Sequence, residues 1–101
     1  MRVNAEDLPG KWCLAKPGAD NVTLNYIISL LCSNVDCTII SEGNACYTPD
    51  QLLNHASVVM NLYYQDQGRQ YWSCVNVANN VPGVISNTDP SYGNCTYEFK
   101  Q

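Results

Sequence analysis

The sequence predicts a small, disulfide-rich, mainly α-helical domain: two amphipathic helices, a minor antiparallel β-sheet and long coils. Three observations point to it. The 101-residue chain carries six cysteines, an even number that suits covalent stapling of a modest core. Two stretches, Leu24 to Leu31 and Leu52 to Tyr64, repeat apolar residues at helical spacing. The remaining β-branched runs are short and separated by turn formers.

In chain order, residues 1–11 read as a disordered extension and residues 12–101 as the packed domain. Met1 to Gly10 is mostly polar and ends in the turn signal Pro9-Gly10, after which Trp12-Cys13 opens the core. The loop Pro17-Gly18-Ala19-Asp20-Asn21 delivers a helix cap at Asp20 or Asn21. Leu24, Ile27, Ile28 and Leu31 then fall at i, i+3, i+4 and i+7, which predicts a helix from Val22 to Ser33. Tyr26 and Leu30 lie off that stripe, so more than one face should be covered. Cys32 and Cys37 bracket a polar turn. Thr38-Ile39-Ile40 is too short to assign, and Ser41 to Asn44 is a turn leading to Cys46.

The stretch Thr48 to Gly68 is the principal helix. Thr48 reads as its cap, Pro49 as the first helical residue and Gln51 as the partner in a capping box. Gly68 supplies a left-handed stop. Leu52, Leu53, Ala56, Val59, Met60, Tyr63 and Tyr64 form its apolar stripe, with Tyr63 assigned to the core. Asn54, Ser57, Asn61, Gln65 and Asp66 fall mostly on the opposite side. Beyond Gly68, Tyr71 to Val77 reads as a strand, Asn79 to Gly83 as a turn and Val84 to Ser86 as its return partner. Asn87 to Asn94 is a loop, and Cys95 to Phe99 a closing extended segment.

Net charge is −4, and the five basic residues Arg2, Lys11, Lys16, Arg69 and Lys100 are scattered. No basic stripe tracks phosphates, which argues against nucleic acid, and no apolar run approaches a membrane span. Met1 to Asp7 is too short and too charged for a secretory leader, so the chain reads as a mature or recombinant fragment. The C-terminal residues lack the hydrophobic tail of a lipid-anchor signal. Cys32 and Cys37 are the one close cysteine pair and His55 is the only histidine, which favours disulfides over zinc. No cofactor is expected. Six cysteines allow fifteen pairings, and spacing alone does not choose among them.

Several motifs acquire meaning together. Trp12-Cys13, Asp36-Cys37 with Ile40 three residues on, then Gly43, Cys46 and Pro49 lead into His55-Ala56-Ser57 and Asn61-Leu62-Tyr63-Tyr64-Gln65. Cys74, Ala78, Asp89-Pro90-Ser91-Tyr92-Gly93 and Cys95-Thr96-Tyr97 follow. From Trp12 to about Phe99 the chain resembles the X8 domain, carbohydrate-binding module family 43 of plant proteins. It departs from that pattern at Val75 and Asn76, where the family has an acidic residue and an aromatic, and at the bulkier Ile28, Leu30 and Leu31. The resemblance implies the pairs Cys13–Cys74, Cys32–Cys37 and Cys46–Cys95. It also implies binding of β-1,3-glucan of the callose or laminarin type by a secreted cell-wall protein. Such domains occur alone, as anchored plasmodesmal callose-binding proteins, or appended to glycosidases, and some members are pollen allergens.

The residues suit binding better than catalysis. Glycoside hydrolysis needs two carboxyl groups about 5–9.5 Å apart around the bond. Asp36, Glu42, Asp50, Asp66, Asp89 and Glu98 are the candidates; Asp50 instead suits a helix start, Asp36 and Asp89 suit turns, and Asp66 a solvated face. His55 has no nucleophile partner in a recognisable motif and reads as a helix-surface residue bonded to a neighbouring loop. Sugar rings, by contrast, stack their C–H faces on Tyr or Trp while amides and carboxylates take the hydroxyls. Tyr64, Gln65, Tyr71, Trp72 and Tyr92, with Asn61 and Asp89 as polar partners, are the candidate carbohydrate-binding residues. The domain is expected to be a monomer that performs no catalysis itself, whether or not a glucanase domain once accompanied it. The competing reading is a secreted defence or allergen protein that binds a protein or lipid. Asn21-Val22-Thr23 is a glycosylation sequon at an exposed helix start, and Asn94-Cys95-Thr96 is a second, expected to be shielded by its half-cystine.

Overall fold

The structure, a computed structural model, describes residues 10–75 and 83–100. Met1 to Pro9, the distal end of the expected strand at Asn76 and Val77, Ala78, and most of the expected turn at Asn79 to Pro82 lie outside them. The elements are β1 (Trp12–Ala15), α1 (Asn21–Leu31), α2 (Leu52–Asp66), α3 (Trp72–Val75) and β2 (Gly83–Ser86), with one 3-10 turn at Thr38–Ile40. Among them no helix is long and apolar enough to cross a membrane.

α1 forms where its apolar spacing predicts. Asp20 is the cap: its carboxylate accepts the Thr23 N–H at 2.8 Å, and that bond holds its carboxyl below the usual carboxylate range. Leu24, Ile27 and Leu31 are buried, whereas Tyr26 stands in solvent rather than under a second layer. The 3-10 turn follows the Cys32–Cys37 bridge.

α2 begins three residues later than the cap and capping box at Thr48 and Gln51 would place it. The carbonyls that would start a helix at Thr48 are taken elsewhere. The Thr48 carbonyl accepts from the Tyr92 hydroxyl at 3.2 Å, and the Tyr47 carbonyl just ahead of it from His55 Nε2 at 2.7 Å. Pro49, joined to Thr48 by a cis peptide, gives its carbonyl to Gln51 N. Gln51 thus becomes an extended cap with no side-chain bond. His55, expected on the helix surface, is buried beneath the Tyr47 turn. At the far end Gly68 adopts φ +77°, and Gly68 N and Arg69 N donate to the Gln65 and Tyr64 carbonyls, the paired bonds of a Schellman stop.

β1 runs antiparallel to β2, pairing Trp12 with Ser86 through Ala15 with Gly83. The expected partner of Val84 to Ser86 was Tyr71 to Val77. Instead Tyr71 to Val75 closes into the helical turn α3, because Ser73, Cys74 and Val75 donate to the Gln70 and Tyr71 carbonyls and the Ser73 hydroxyl bonds the Gln70 carbonyl. These local bonds outweigh the strand preference of its aromatic and β-branched residues. Cys95 to Phe99 joins no sheet; Tyr92 and Cys95 form one isolated bridge.

The other edge of β1 lies on α2. Ser57, Asn61 and Gln65, one helical turn apart, engage every second residue of β1 and its lead-in: Ala15 N donates to Ser57 Oγ at 3.0 Å, Cys13 N to Asn61 Oδ1 at 3.1 Å, and Gln65 Nε2 donates to the carbonyl of Lys11, just before β1, at 2.7 Å. The same side chains hold the C-terminal segment, with Asn61 Nδ2 on the Glu98 carbonyl at 2.8 Å and Lys100 N on Gln65 Oε1 at 2.9 Å. The Tyr64 hydroxyl donates to the Gly10 carbonyl at 2.8 Å. Packing therefore reaches back to Gly10 and Lys11, ahead of the boundary expected at Trp12.

Alternation along β1 divides the core. Cys13 and Ala15 join Leu24, Ile27, Leu31, Ala56, Val59, Met60, Tyr64 and Cys74 on one side. Trp12 joins Cys46, Val58, Cys95 and Tyr97 on the other, where Leu14 also packs. Each cluster contains a buried disulfide, Cys13–Cys74 and Cys46–Cys95 respectively.

Replacing Asn61 with Leu should strand the Cys13 N–H and the Glu98 carbonyl without partners and lower stability by about 2–4 kcal/mol. Tyr71→Ala, at an exposed ring, should change it by no more than about 0.5 kcal/mol. Denaturant unfolding with the disulfides intact checks both. Burial, with the neighbouring Tyr92 phenol adding to it, pushes the Tyr97 phenol up to about 12. A tyrosine in the unfolded chain titrates near ~10, so the stability this group supplies is complete below that pH. It should be lost as pH rises from about 10 to about 12, by roughly 2–3 kcal/mol. Unfolding midpoints across that window should fall in the wild type and less steeply in Tyr97→Phe.

Candidate functional site

The Cys46–Cys95 bridge, with a Cα–Cα distance of 4.7 Å, sets the turn at residues 43–45 beside the turn at residues 92–95. The second turn is tight: Tyr92 and Cys95 exchange backbone hydrogen bonds at 3.0 and 2.8 Å. Gly93 takes φ +50° at its first central position, where a type II′ turn calls for glycine. The Tyr92 hydroxyl reaches across to α2. It donates to Asn54 Oδ1 at 2.7 Å, with the Thr48 carbonyl as second acceptor. The ring is thereby held between loop and helix.

Tyr92 and Pro49 form the shared wall of two shallow grooves. One, of about 510 Å³, runs between Gly43, Asn44, Ala45 and Thr48 on one side and Gly93 and Asn94 on the other. The second, of about 350 Å³, passes Leu14, Pro17, Gln51, Asn54, Pro90 and Tyr97. Among the described residues, no charged side chain lines either groove. A third hollow, beside Asp36, Asp66, Glu98 and Lys100, is charged and lies apart from Tyr92.

The loop carrying Tyr92 is braced from within. Asp89 Oδ1 accepts both the Ser91 hydroxyl at 2.6 Å and the Ser91 N–H at 2.9 Å, and these bonds lower its carboxyl pKa. Ser91 Oγ in turn accepts the Tyr97 N–H at 2.9 Å. Asp89 lines neither groove; its observed work is to brace the loop.

The residues named from sequence separate into three groups. Asn61, Tyr64 and Gln65 are 1%, 0% and 2% exposed and spend their polar atoms on Gly10, Lys11, Cys13, Glu98 and Lys100. They are corrected from sugar contacts to interior residues: β1 and the C-terminal segment cover the face of Asn61 and Gln65 that looked solvated, and Tyr64 belongs to the core with the rest of its apolar stripe. Tyr71, just ahead of α3, and Trp72, its first residue, are 67% and 50% exposed, and the Cys13–Cys74 bridge fastens α3 to β1. Tyr92 lies at the first turn of α2, whereas Tyr71 and Trp72 follow its C-terminal end and line neither groove. The structure does not gather them into one site.

Sequence reasoning missed Asn44, Pro49, Gln51, Asn54 and Asn94 as groove residues. The available signal was the implied Cys46–Cys95 pair, which brings the Gly43-Asn44-Ala45 and Gly93-Asn94 turn formers together. Asn94 is exposed rather than shielded. The acidic residues offer no hydrolytic pair at the grooves: Asp36 caps Thr38, and Asp50 accepts from the Tyr47 hydroxyl at 2.9 Å, which raises that phenol's pKa.

Comparison with known proteins gives this geometry a context. The X8 domain family matches residues 11–80. A glucan endo-1,3-beta-glucosidase of Triticum aestivum is 44% identical over 87% of the chain, and a glucan endo-1,3-beta-D-glucosidase of Olea europaea is 40% identical over 87%. The chain spans only 18% and 19% of those two proteins. The major pollen allergen Ole e 10 of Olea europaea is 36% identical over 86% of the chain, which covers 70% of that smaller protein. With the family matched across α2 and both ends of the Cys13–Cys74 bridge, the chain belongs to the X8 domain family.

Proposed function

We propose that this domain is a non-catalytic module that binds β-1,3-glucan, secreted to the plant cell wall and monomeric, either alone or joined to a glucan-hydrolysing domain. The observation that carries the reading is the pair of uncharged grooves divided by a hydrogen-bonded tyrosine. A neutral polysaccharide offers C–H faces and hydroxyls, with no charge to steer or neutralise. The Tyr92 ring supplies a stacking face, and Asn44, Gln51 and Asn94 supply amides that both donate and accept. Because the Asn54 bond fixes the ring beforehand, little freedom is lost when a sugar arrives. Tyr71 and Trp72 offer a further stacking place at α3. The glucan endo-1,3-beta-glucosidases among the relatives support the choice of polymer.

Affinity electrophoresis in laminarin gels, with cellulose and mannan as controls, tests this directly. Retardation should be specific to laminarin and nearly unchanged between low and high salt, since no exposed ion pair is involved. Tyr92→Ala should weaken it about tenfold, roughly 1.4 kcal/mol. Tyr92→Phe, which keeps the ring and loses the Asn54 bond, should weaken it less, and Trp72→Ala should reduce it with the fold intact. Absence of retardation across pH and salt would overturn the reading in favour of a protein or lipid partner.

A further inference from the structure

We propose that Asn94 is an N-glycosylation acceptor whose glycan grows from the wall of the Tyr92 groove and closes that groove to glucan. The gating half of the proposal rests on the glucan-binding reading; the modification itself does not. Asn94-Cys95-Thr96 satisfies the acceptor pattern. The neighbouring half-cystine does not hide it. Cys95 alone turns inward, at 1% exposure, while Asn94 and Thr96 on either side face solvent. Asn94 stands at the second central position of the tight Tyr92–Cys95 turn, a protruding surface point of the kind modification favours. Three disulfides indicate an oxidising secretory route, where the transfer takes place.

The location gives the modification its consequence. Asn94 and Tyr92 line the same groove, opposite Asn44, so a sugar on Asn94 Nδ2 begins inside the space proposed for the polymer. Its N-acetylated rings present the same stacking faces and hydroxyls as the polymer, and they are tethered at high effective concentration. In the transfer a C–N bond forms between Asn94 Nδ2 and the anomeric carbon of a lipid-diphosphate-linked oligosaccharide. The sugar–phosphate bond breaks, the lipid diphosphate leaves with the electron pair, and the amide proton passes to a base. Asn21, the other sequon, lies at the start of α1 and lines neither groove. It serves as an internal control.

The test is secretion of the full chain from a eukaryotic host, followed by glycopeptide mass spectrometry and laminarin gel retardation. Asn94 should be occupied in the wild type and in Thr96→Ser, and unoccupied in Thr96→Ala. Material bearing the Asn94 glycan should bind laminarin at least about tenfold more weakly than Thr96→Ala, while Asn21→Gln should leave retardation as in the wild type. Enzymatic trimming of the glycan to its first sugar should recover part of the binding. An unoccupied Asn94, or equal retardation of the occupied and Thr96→Ala forms, overturns the proposal. Failure of Thr96→Ala itself to bind laminarin overturns the glucan reading and the gating with it, while the mass measurement still decides occupancy separately.

Discussion

The structure depends on three polar side chains of α2 that act as a missing strand. β1 has β2 on one edge; on the other its backbone groups meet Ser57, Asn61 and Gln65. The fit is geometric. Four residues of helix advance about 6 Å, and two residues of strand advance about 6.8 Å. Every fourth helical side chain therefore meets every second strand residue, as 65, 61 and 57 meet 11, 13 and 15. Buried backbone groups left without partners are costly, so this coincidence of repeats lets a helix lie against a two-stranded sheet without stranding the edge.

That arrangement positions everything else. With β1 fixed along α2, its alternating side chains feed two apolar clusters, and each cluster encloses a buried disulfide. The second cluster carries the candidate site: Cys46–Cys95 gathers the two turns, Tyr97 fills the floor, and Tyr92 reaches from loop to helix. The charged residues among those described remain outside both grooves, so that the described lining is neutral. Rigidity here comes from hydrogen bonds and a covalent bridge rather than from a deep hydrophobic cleft.

Features set by neighbours in sequence were legible. The Asp20 cap, the Leu24–Ile27–Leu31 stripe and the Gly68 stop each arise from interactions within a turn or two. Features set by distant partners were not. The strong start signal at Thr48 and Pro49 yields because the Tyr92 hydroxyl and the Gln51 amide claim the carbonyls it needs. Tyr71 to Val75 curls because the Gln70 and Tyr71 carbonyls are at hand for its amides. Asn61 and Gln65 looked solvent-facing since polar residues at i, i+4 and i+8 usually are; nothing in the spacing distinguishes a wet face from one that bonds another backbone. Of the residues proposed to touch sugar, Tyr92 was legible by its motif, whereas its amide neighbours became visible only once the bridge had brought the turns together.

Gln65 holds both ends of the described domain, with its amide nitrogen on Lys11 and its amide oxygen on Lys100. Chain joined at either side would thus emerge near one spot, at the C-terminal end of α2, while Tyr92 sits at the other end. A unit with neighbouring exits can hang from a partner domain as a pendant, or be spliced into a loop, with its groove-bearing end free. Tension along the chain would act on the Gln65 clasp and its neighbours at Tyr64 and Asn61 before it reached the grooves.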